Sequence, residues 1–223
     1  MTPTPTAAPV LVLMGVSGCG KSTAAALLAG NLGWAYAEGD DLHPQANIDK
    51  MASGQPLTDE DRWPWLHLIA DWISARGQAG EPGVVTCSAL KRSYRDVLRA
   101  GGRNVVFVYL RGSHELIAER MTARQGHFMP AGLLDSQFTA LEEPGPDERA
   151  VRVDVGGSAQ QTNQAILAAL TALDPGLAPY LTPRAAQPGA GSPGAIPAQT
   201  QAPAGTPAQT PASAGTHRLG TSA

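Results

Sequence analysis

The sequence predicts a three-layer α/β fold in which a five-stranded parallel sheet lies between helices. Three observations carry this expectation. Short apolar runs alternate with helical patterns from residue 9 to about residue 173. The run "VVFVYL" at 105–110 has no polar interruption, as expected of a strand buried on both faces. The first apolar run leads into a glycine-rich loop, "GVSGCGKS", that opens directly into a helical pattern. A helix N-terminus placed in this way attracts anions.

The elements follow in order. Residues 10–14 ("VLVLM") form the first strand, and 21–32, rich in Ala and Leu, the first helix. Residues 34–37 form a second strand that ends in the acidic turn "EGDDLHP". Helices are expected over 45–52 and 64–75. In the latter, Trp65, Leu68, Ile69 and Trp72 recur at i, i+3, i+4 and i+7, which buries one face. Pro64 suits a first turn, where no amide hydrogen is needed. Strands over 83–87, 105–110 and, more weakly, 151–155 alternate with helices over 93–100, 114–123, 133–141 and 159–173. Strands joined by helices of this length are joined by crossovers, and are therefore parallel.

Composition sets the boundaries. From 175 to 223 there is no Asp, Glu or Lys, Tyr180 is the only aromatic residue, and "PAQT" occurs twice. Such a chain has too little apolar bulk to offset the entropy of ordering. The expected domain is 9–174, with a disordered leader over 1–8 and a disordered Pro/Ala/Gly-rich tail over 175–223. A net charge of −3 and a pI of about 5.9 argue against a nucleic-acid partner. Cys19 and Cys87 form no C-x-x-C pair, which argues against a zinc site or a disulfide framework. The first basic side chain is Lys21, so no charged segment precedes the apolar run, and no stretch is long enough to span a bilayer. The expectation is a cytoplasmic protein with no membrane partner. A homodimer stays open.

Gly15, Val16, Ser17, Gly18, Cys19, Gly20, Lys21 and Ser22 match G-x-x-x-x-G-K-[ST], and Thr23 follows. The glycines let successive backbone amides point inward, and with the helix N-terminus they bind phosphate. Lys21 is expected to reach the β- and γ-phosphates of a nucleotide, and Ser22 to place its hydroxyl on Mg²⁺. A nucleotide and Mg²⁺ are what this implies. No Asn-Lys pair occurs anywhere, so a guanine-reading Asn-Lys-x-Asp is absent. Neither "VVTCSAL" nor "VVFVYLRG" ends in the acids of a motor ATPase. The metal-side carboxylate then has to come from 38–44, at the strand edge where parallel sheets bind ligands. Glu38 and Asp40 are two apart and share one side of an extended segment. One suits Mg²⁺ through water, the other a proton taken from a substrate hydroxyl.

Cations fall into two groups. Lys91, Arg95 and Arg99 repeat at i, i+4 and i+8, one helix face. Arg120 and Arg124 are also four apart, and Arg124 enters the loop "RQGHFMPAG", suited to closing over transferred charge. His127 in that loop is open between a ligand contact and a plain loop residue.

Taken together, "GVSGCGKST", "GDDLHPQANIDKMASGQPLTDEDRWPWL", "CSALKRSYRDVLR", "FVYLRG", "RMTARQGHFMP" and "QFTALEEPGPDE" resemble the small gluconokinases, which belong to the P-loop kinase group with shikimate and adenylate kinases. The resemblance spans about 9–173. It implies the P-loop kinase fold with the loop strand central, a helical substrate-binding insert around 40–80 and a lid around 121–131. It implies ATP-dependent phosphorylation of D-gluconate to 6-phosphogluconate. It makes Asp40 the base or the partner of the substrate hydroxyl. It makes His43, Lys50, Arg62, Lys91 and Arg95 the grip on the sugar acid, Arg120 and Arg124 lid contacts to nucleotide phosphates, and Gln137 part of the sugar site. The family often reads Asp-Gly-Asp where this chain has Glu38-Gly39-Asp40, which leaves the metal role of Glu38 open. Two other readings also stay open: a kinase for another small polyhydroxy acid such as shikimate, and a nucleotide-binding switch without transfer chemistry.

Overall fold

The computed structural model describes residues 7–123 and 131–183, with the side chains of 131–133 left out. In chain order the elements are β1 (Val10–Met14), α1 (Lys21–Leu32), β2 (Ala35–Ala37), α2 (Gln45–Ala52), α3 (Asp59–Ala79), β3 (Gly83–Thr86), α4 (Arg92–Ala100), β4 (Val105–Arg111), α5 (His114–Ala123), α6 (Ala131–Ala140), β5 (Ala150–Asp154), α7 (Ala159–Leu173) and the short α8 (Ala178–Leu181). The five strands form one sheet in the order β2-β3-β1-β4-β5, with every pairing parallel. β1 is central. Val10 aligns with Gly83 on one side and Val105 on the other, so the loop after β1 emerges between the ends of β3 and β4.

The side-chain period of two splits β1 between two cores. Leu11 and Leu13 pack with Leu28, Ile117, Ile166 and Leu170 of α1, α5 and α7. Val10, Val12 and Met14 pack with Ile69, Ile73 and Leu98 of α3 and α4. Helices on both faces explain why β1 and β4 are apolar without interruption.

The structure corrects several expectations of the fold. α3 begins at Asp59, not at 64, because Thr58 and Asp61 form a reciprocal capping box. Pro64 therefore lies inside the helix, beyond its first turn. The buried face is Trp65, Leu66, Ile69, Ala70 and Ile73, while Leu68 and Trp72 are only half-buried. At the C-terminal end the chain stays packed beyond Asp174. The Asp174 carboxylate accepts from the Gly176 amide and pairs with Arg149, and Leu177 and Leu181 enter the core. At the N-terminal end Ala8 is buried and Asn104 donates to the Ala7 carbonyl. The expected leader and tail thus each overlap the folded body. Residues 1–6 and 184–223, and 124–130 of the expected lid, lie outside the described residues. Among the described residues no helix is long and apolar enough to cross a membrane.

Candidate active site

The loop after β1 turns through three glycines of positive φ, Gly15 (137°), Gly18 (82°) and Gly20 (97°). A Cβ at Gly18 would lie 2.7 Å from Met121 Cγ in α5, so the close approach of α5 also requires glycine there. The Gly15 amide donates to the Ser88 carbonyl (3.2 Å), tying the loop to the end of β3. Lys21 curls back, and its ammonium donates to the carbonyls of Gly15 (3.0 Å) and Val16 (3.1 Å). α1 has no acid in its first turn, so nothing there offsets the positive end of the helix dipole. Val16 and Cys19 are buried. Burial pushes the Cys19 thiol up, against the charge of Lys21, so the thiol stays neutral and acts as a small apolar filler.

A cleft of about 670 Å³ opens over this loop. Its walls are 17–24, Glu38, Asp40, Arg120, Met121 and, from beyond β5, Val155, Gly157, Ala159 and Thr162. Lys21, Ser22, Glu38, Asp40 and Arg120 are thereby brought together on one cleft. Arg120 donates to the carbonyls of Val155 and Gly157, which fixes its guanidinium beside the cleft.

The acidic segment is held from below. The Gly39 amide donates to Thr86 Oγ1 (3.0 Å), and a side chain at Gly39 would collide with the Thr86 carbonyl. Trp65 Nε1 donates to the Gly39 carbonyl (2.7 Å). Glu38 accepts hydrogen bonds from Thr86 and from Tyr36 (2.6 Å), and a further one from Ser22. Burial raises its pKa, but these hydrogen bonds and the charge of Lys21 outweigh burial and hold it below the usual glutamate range. Tyr36 is pushed up by burial and by its bond to Glu38, so the phenol stays a donor. Ser22 and Glu38 thus form an all-oxygen pair beside the phosphate loop, which suits a hard divalent cation.

The expected acceptor side is more dispersed. Asp59 accepts two bonds from Lys91 (2.9 and 2.7 Å) and one from the Tyr94 hydroxyl (2.6 Å). Arg62 Nη1 is 3.8 Å from the same carboxylate, and its guanidinium lies 5.9 Å from the centre of the Tyr94 ring. Lys91 and Arg62 thus share one carboxylate, leaving an excess positive charge for an acidic ligand. Lys50 pairs with Asp61 at 2.5 Å. His43 stacks on Trp65 with ring centroids 4.2 Å apart. Gln137 Oε1 accepts from the Ser17 amide (2.7 Å), so Gln137 touches the phosphate loop itself. His43, Lys50, Arg62, Lys91 and Gln137 do not line the cleft over the loop.

Arg95 is a correction. Its side chain is 1% exposed and forms a bidentate pair with Glu148 (2.6 and 2.8 Å). It also donates to the carbonyls of Ala89, Leu90 and Glu142. Every nitrogen of the guanidinium is engaged inside the protein, so Arg95 does not grip substrate. Lys91 is the cap residue before α4, with extended backbone, so the two do not share a helix face. Arg99 pairs with Asp96 at the surface. Arg124 and His127 lie outside the described residues.

The sequence reading missed several contributors. Tyr36, Thr86, Asp59 and Tyr94 carry no motif, and Trp65 has a purely apolar signature. Only the stretch after β5, "VGGS" at 155–158, had a usable signal: it follows a strand at the same sheet edge as the phosphate loop.

Comparison with known proteins finds relatives over most of the chain. The family described as an AAA domain matches residues 10–144. A gluconokinase of Gluconobacter oxydans (strain 621H) is 55% identical over 143 residues, covering 64% of this chain and 80% of that one. The thermosensitive gluconokinase of Escherichia coli (strain K12) is 48% identical over 162 residues, 70% of this chain and 87% of that one. A solved gluconokinase structure from Sinorhizobium meliloti 1021 superposes with a TM-score of 0.71 at 47% identity, covering 77% of this chain and 97% of that chain.

Proposed function

Because this chain belongs to the gluconokinase family, we propose that it transfers the γ-phosphoryl group of ATP to D-gluconate, giving 6-phospho-D-gluconate and ADP. The observation that carries this reading is the single cleft shared by Lys21, Ser22, Glu38 and Asp40. It sets a phosphate cradle against a carboxylate that can meet a hydroxyl.

The amides of the loop and the N-terminus of α1 hold the donor phosphates. Lys21 exchanges its contacts with the Gly15 and Val16 carbonyls for phosphate oxygens. Ser22 and Glu38 are the residues that would hold Mg²⁺, which when bound neutralises charge between the β- and γ-phosphates. Asp40 accepts the proton of the attacking hydroxyl. That oxygen then bonds to the γ-phosphorus as the bond to the bridging oxygen of ADP breaks. Arg120 faces the charge that spreads over the transferred group. Lys91 and Arg62, with their surplus charge, receive the carboxylate of the sugar acid, and Gln137, bonded to the Ser17 amide, lines the sugar site beside the phosphate loop. Since the donor is ATP, we place the activity in the cytoplasm.

The test is ADP release by the purified full chain across a panel of sugar acids, with Lys21→Ala as the inactive control. Release that depends on gluconate and Mg²⁺ is expected, with gluconate giving the highest kcat/KM. A release rate indifferent to gluconate at every concentration would overturn the reading.

A further inference from the structure

Asn47, in the first turn of α2, is a polar side chain only 5% exposed. Its Nδ2 donates to the Asp61 carbonyl (2.9 Å) in the first turn of α3 and lies 3.3 Å from Nδ1 of His43. A backbone carbonyl only accepts, so the atom facing Asp61 is the amide nitrogen and not the amide oxygen. That nitrogen offers only hydrogens. His43 Nδ1, which faces it too, is therefore the unprotonated nitrogen of the ring, and the proton of the neutral imidazole sits on Nε2. A doubly protonated ring would set one N–H against another.

The ring has little freedom to escape this arrangement. It stacks on Trp65 with an interplanar angle of 14°, and Trp65 is itself anchored to the Gly39 carbonyl. The charged groups that act on His43 are the Asp40 carboxylate and the Arg62 guanidinium. Burial lowers its pKa most, Asp40 opposes this, and Arg62 adds to it, so the ring is held below the usual histidine value.

We propose that Asn47 is a positioning residue of the sugar-acid site: it holds His43 as the neutral Nε2–H tautomer, so the ring meets substrate as a hydrogen-bond donor and leaves proton abstraction to Asp40. A donor there favours a hydroxyl or carboxylate oxygen, the groups a sugar acid presents. This rests on the reading of the site as one for D-gluconate.

The experiment uses the full chain with ¹⁵N-labelled histidine. The chain has five histidines, and His43→Gln identifies the signal of His43. Two-bond ¹H–¹⁵N spectra at neutral pH are expected to show an unprotonated Nδ1 and a protonated Nε2. Asn47→Asp replaces the donor by an acceptor and is expected to move the ring proton from Nε2 to Nδ1, which leaves Nε2 without a hydrogen to donate. It should raise KM for gluconate by about three- to tenfold, the loss of one ordinary hydrogen bond, with KM for ATP unchanged. Asn47→Ala serves if the Asp variant does not fold, with the same rise in KM and an unlocked tautomer expected. A ring protonated at Nδ1 in the unsubstituted protein overturns the proposal. So does a tautomer, or a gluconate KM, that does not respond to the folded variant. The spectra need no turnover, so they separate failure of this proposal from failure of the gluconate assignment.

Discussion

At the scale of single residues, Asp40 carries the sharpest demand. It lies on a short turn pinned through Gly39 to Thr86 and Trp65, and it shares the cleft with Lys21. A base held in place in this way contributes about 10²–10⁴-fold to proton transfer. Asp40→Asn keeps shape and loses basicity, so kcat is expected to fall by at least ~10², while calorimetry shows ATP binding largely unchanged. Near-normal turnover would remove Asp40 from the role. The donor residues were legible in the sequence because a phosphate loop is a contiguous motif whose chemistry lies in its backbone. The position of Glu38 and Asp40 on the cleft was legible because they follow a strand at the ligand edge, although Asp40 lies in a 3-10 turn and not on the extended segment expected. Arg95 was misread for a physical reason. Spacing of i, i+4 implies a common face only within one helix, and Lys91 stands outside α4. Asn47 was invisible because its contribution is the orientation of a neighbour, which no spacing encodes.

At the scale of elements, the buried Arg95–Glu148 pair joins α4 to the segment leading into β5. Its further bonds secure the carbonyl of Ala89, a non-glycine residue at φ 44°. Such backbone persists only where its surroundings over-determine it. The adjoining Ser88 carbonyl takes the Gly15 amide, so this pair supports the phosphate loop from behind. Its Arg95 partner holds the pKa of Glu148 below the usual glutamate range. A lowered carboxylate pKa contributes stability above the unfolded value, about 4.3, and loses it as pH falls through the folded value. Glu148→Gln leaves Arg95 buried and unpaired, which costs about 3–5 kcal/mol. The gap in thermal stability between the parent and this variant, followed by circular dichroism, is therefore expected to be full at neutral pH and to shrink below about pH 4. A gap independent of pH would show that the pair contributes packing alone. The elements themselves were largely legible, since apolar runs and helical periodicity report burial directly. The start of α3 was not. Its capping box uses Asp61 where Glu or Gln is usual, and its first turn is wholly acidic, so no hydrophobic period announces it.

At the scale of the whole molecule, the central place of β1 was implied by the family resemblance, and the edge of the fold was not legible. Composition changes at residue 175, and a window average treats 175–223 as one low-complexity tract. Burial, however, is decided by individual side chains. Leu177 is fully buried and Leu181 nearly so, both in the core formed by α1, α5 and α7, and the Asp174 carboxylate caps the turn that follows while pairing with Arg149. Removing a buried leucine side chain costs about 2–5 kcal/mol, so losing two removes a large part of a total stability of about 5–15 kcal/mol. Two truncations separate composition from packing: one ending at Pro183, the other at Asp174. The first keeps both leucines, and the second removes them and leaves the floor of the α7 core open to water. For a domain of this size each kcal/mol shifts Tm by about 2–4 °C. Taking a loss of about 4 kcal/mol, the chain ending at Asp174 is expected to melt roughly 8–16 °C below the chain ending at Pro183, as read by calorimetry. Equal melting temperatures would mean that the fold closes at Asp174 and that Leu177 and Leu181 only cover a core already complete.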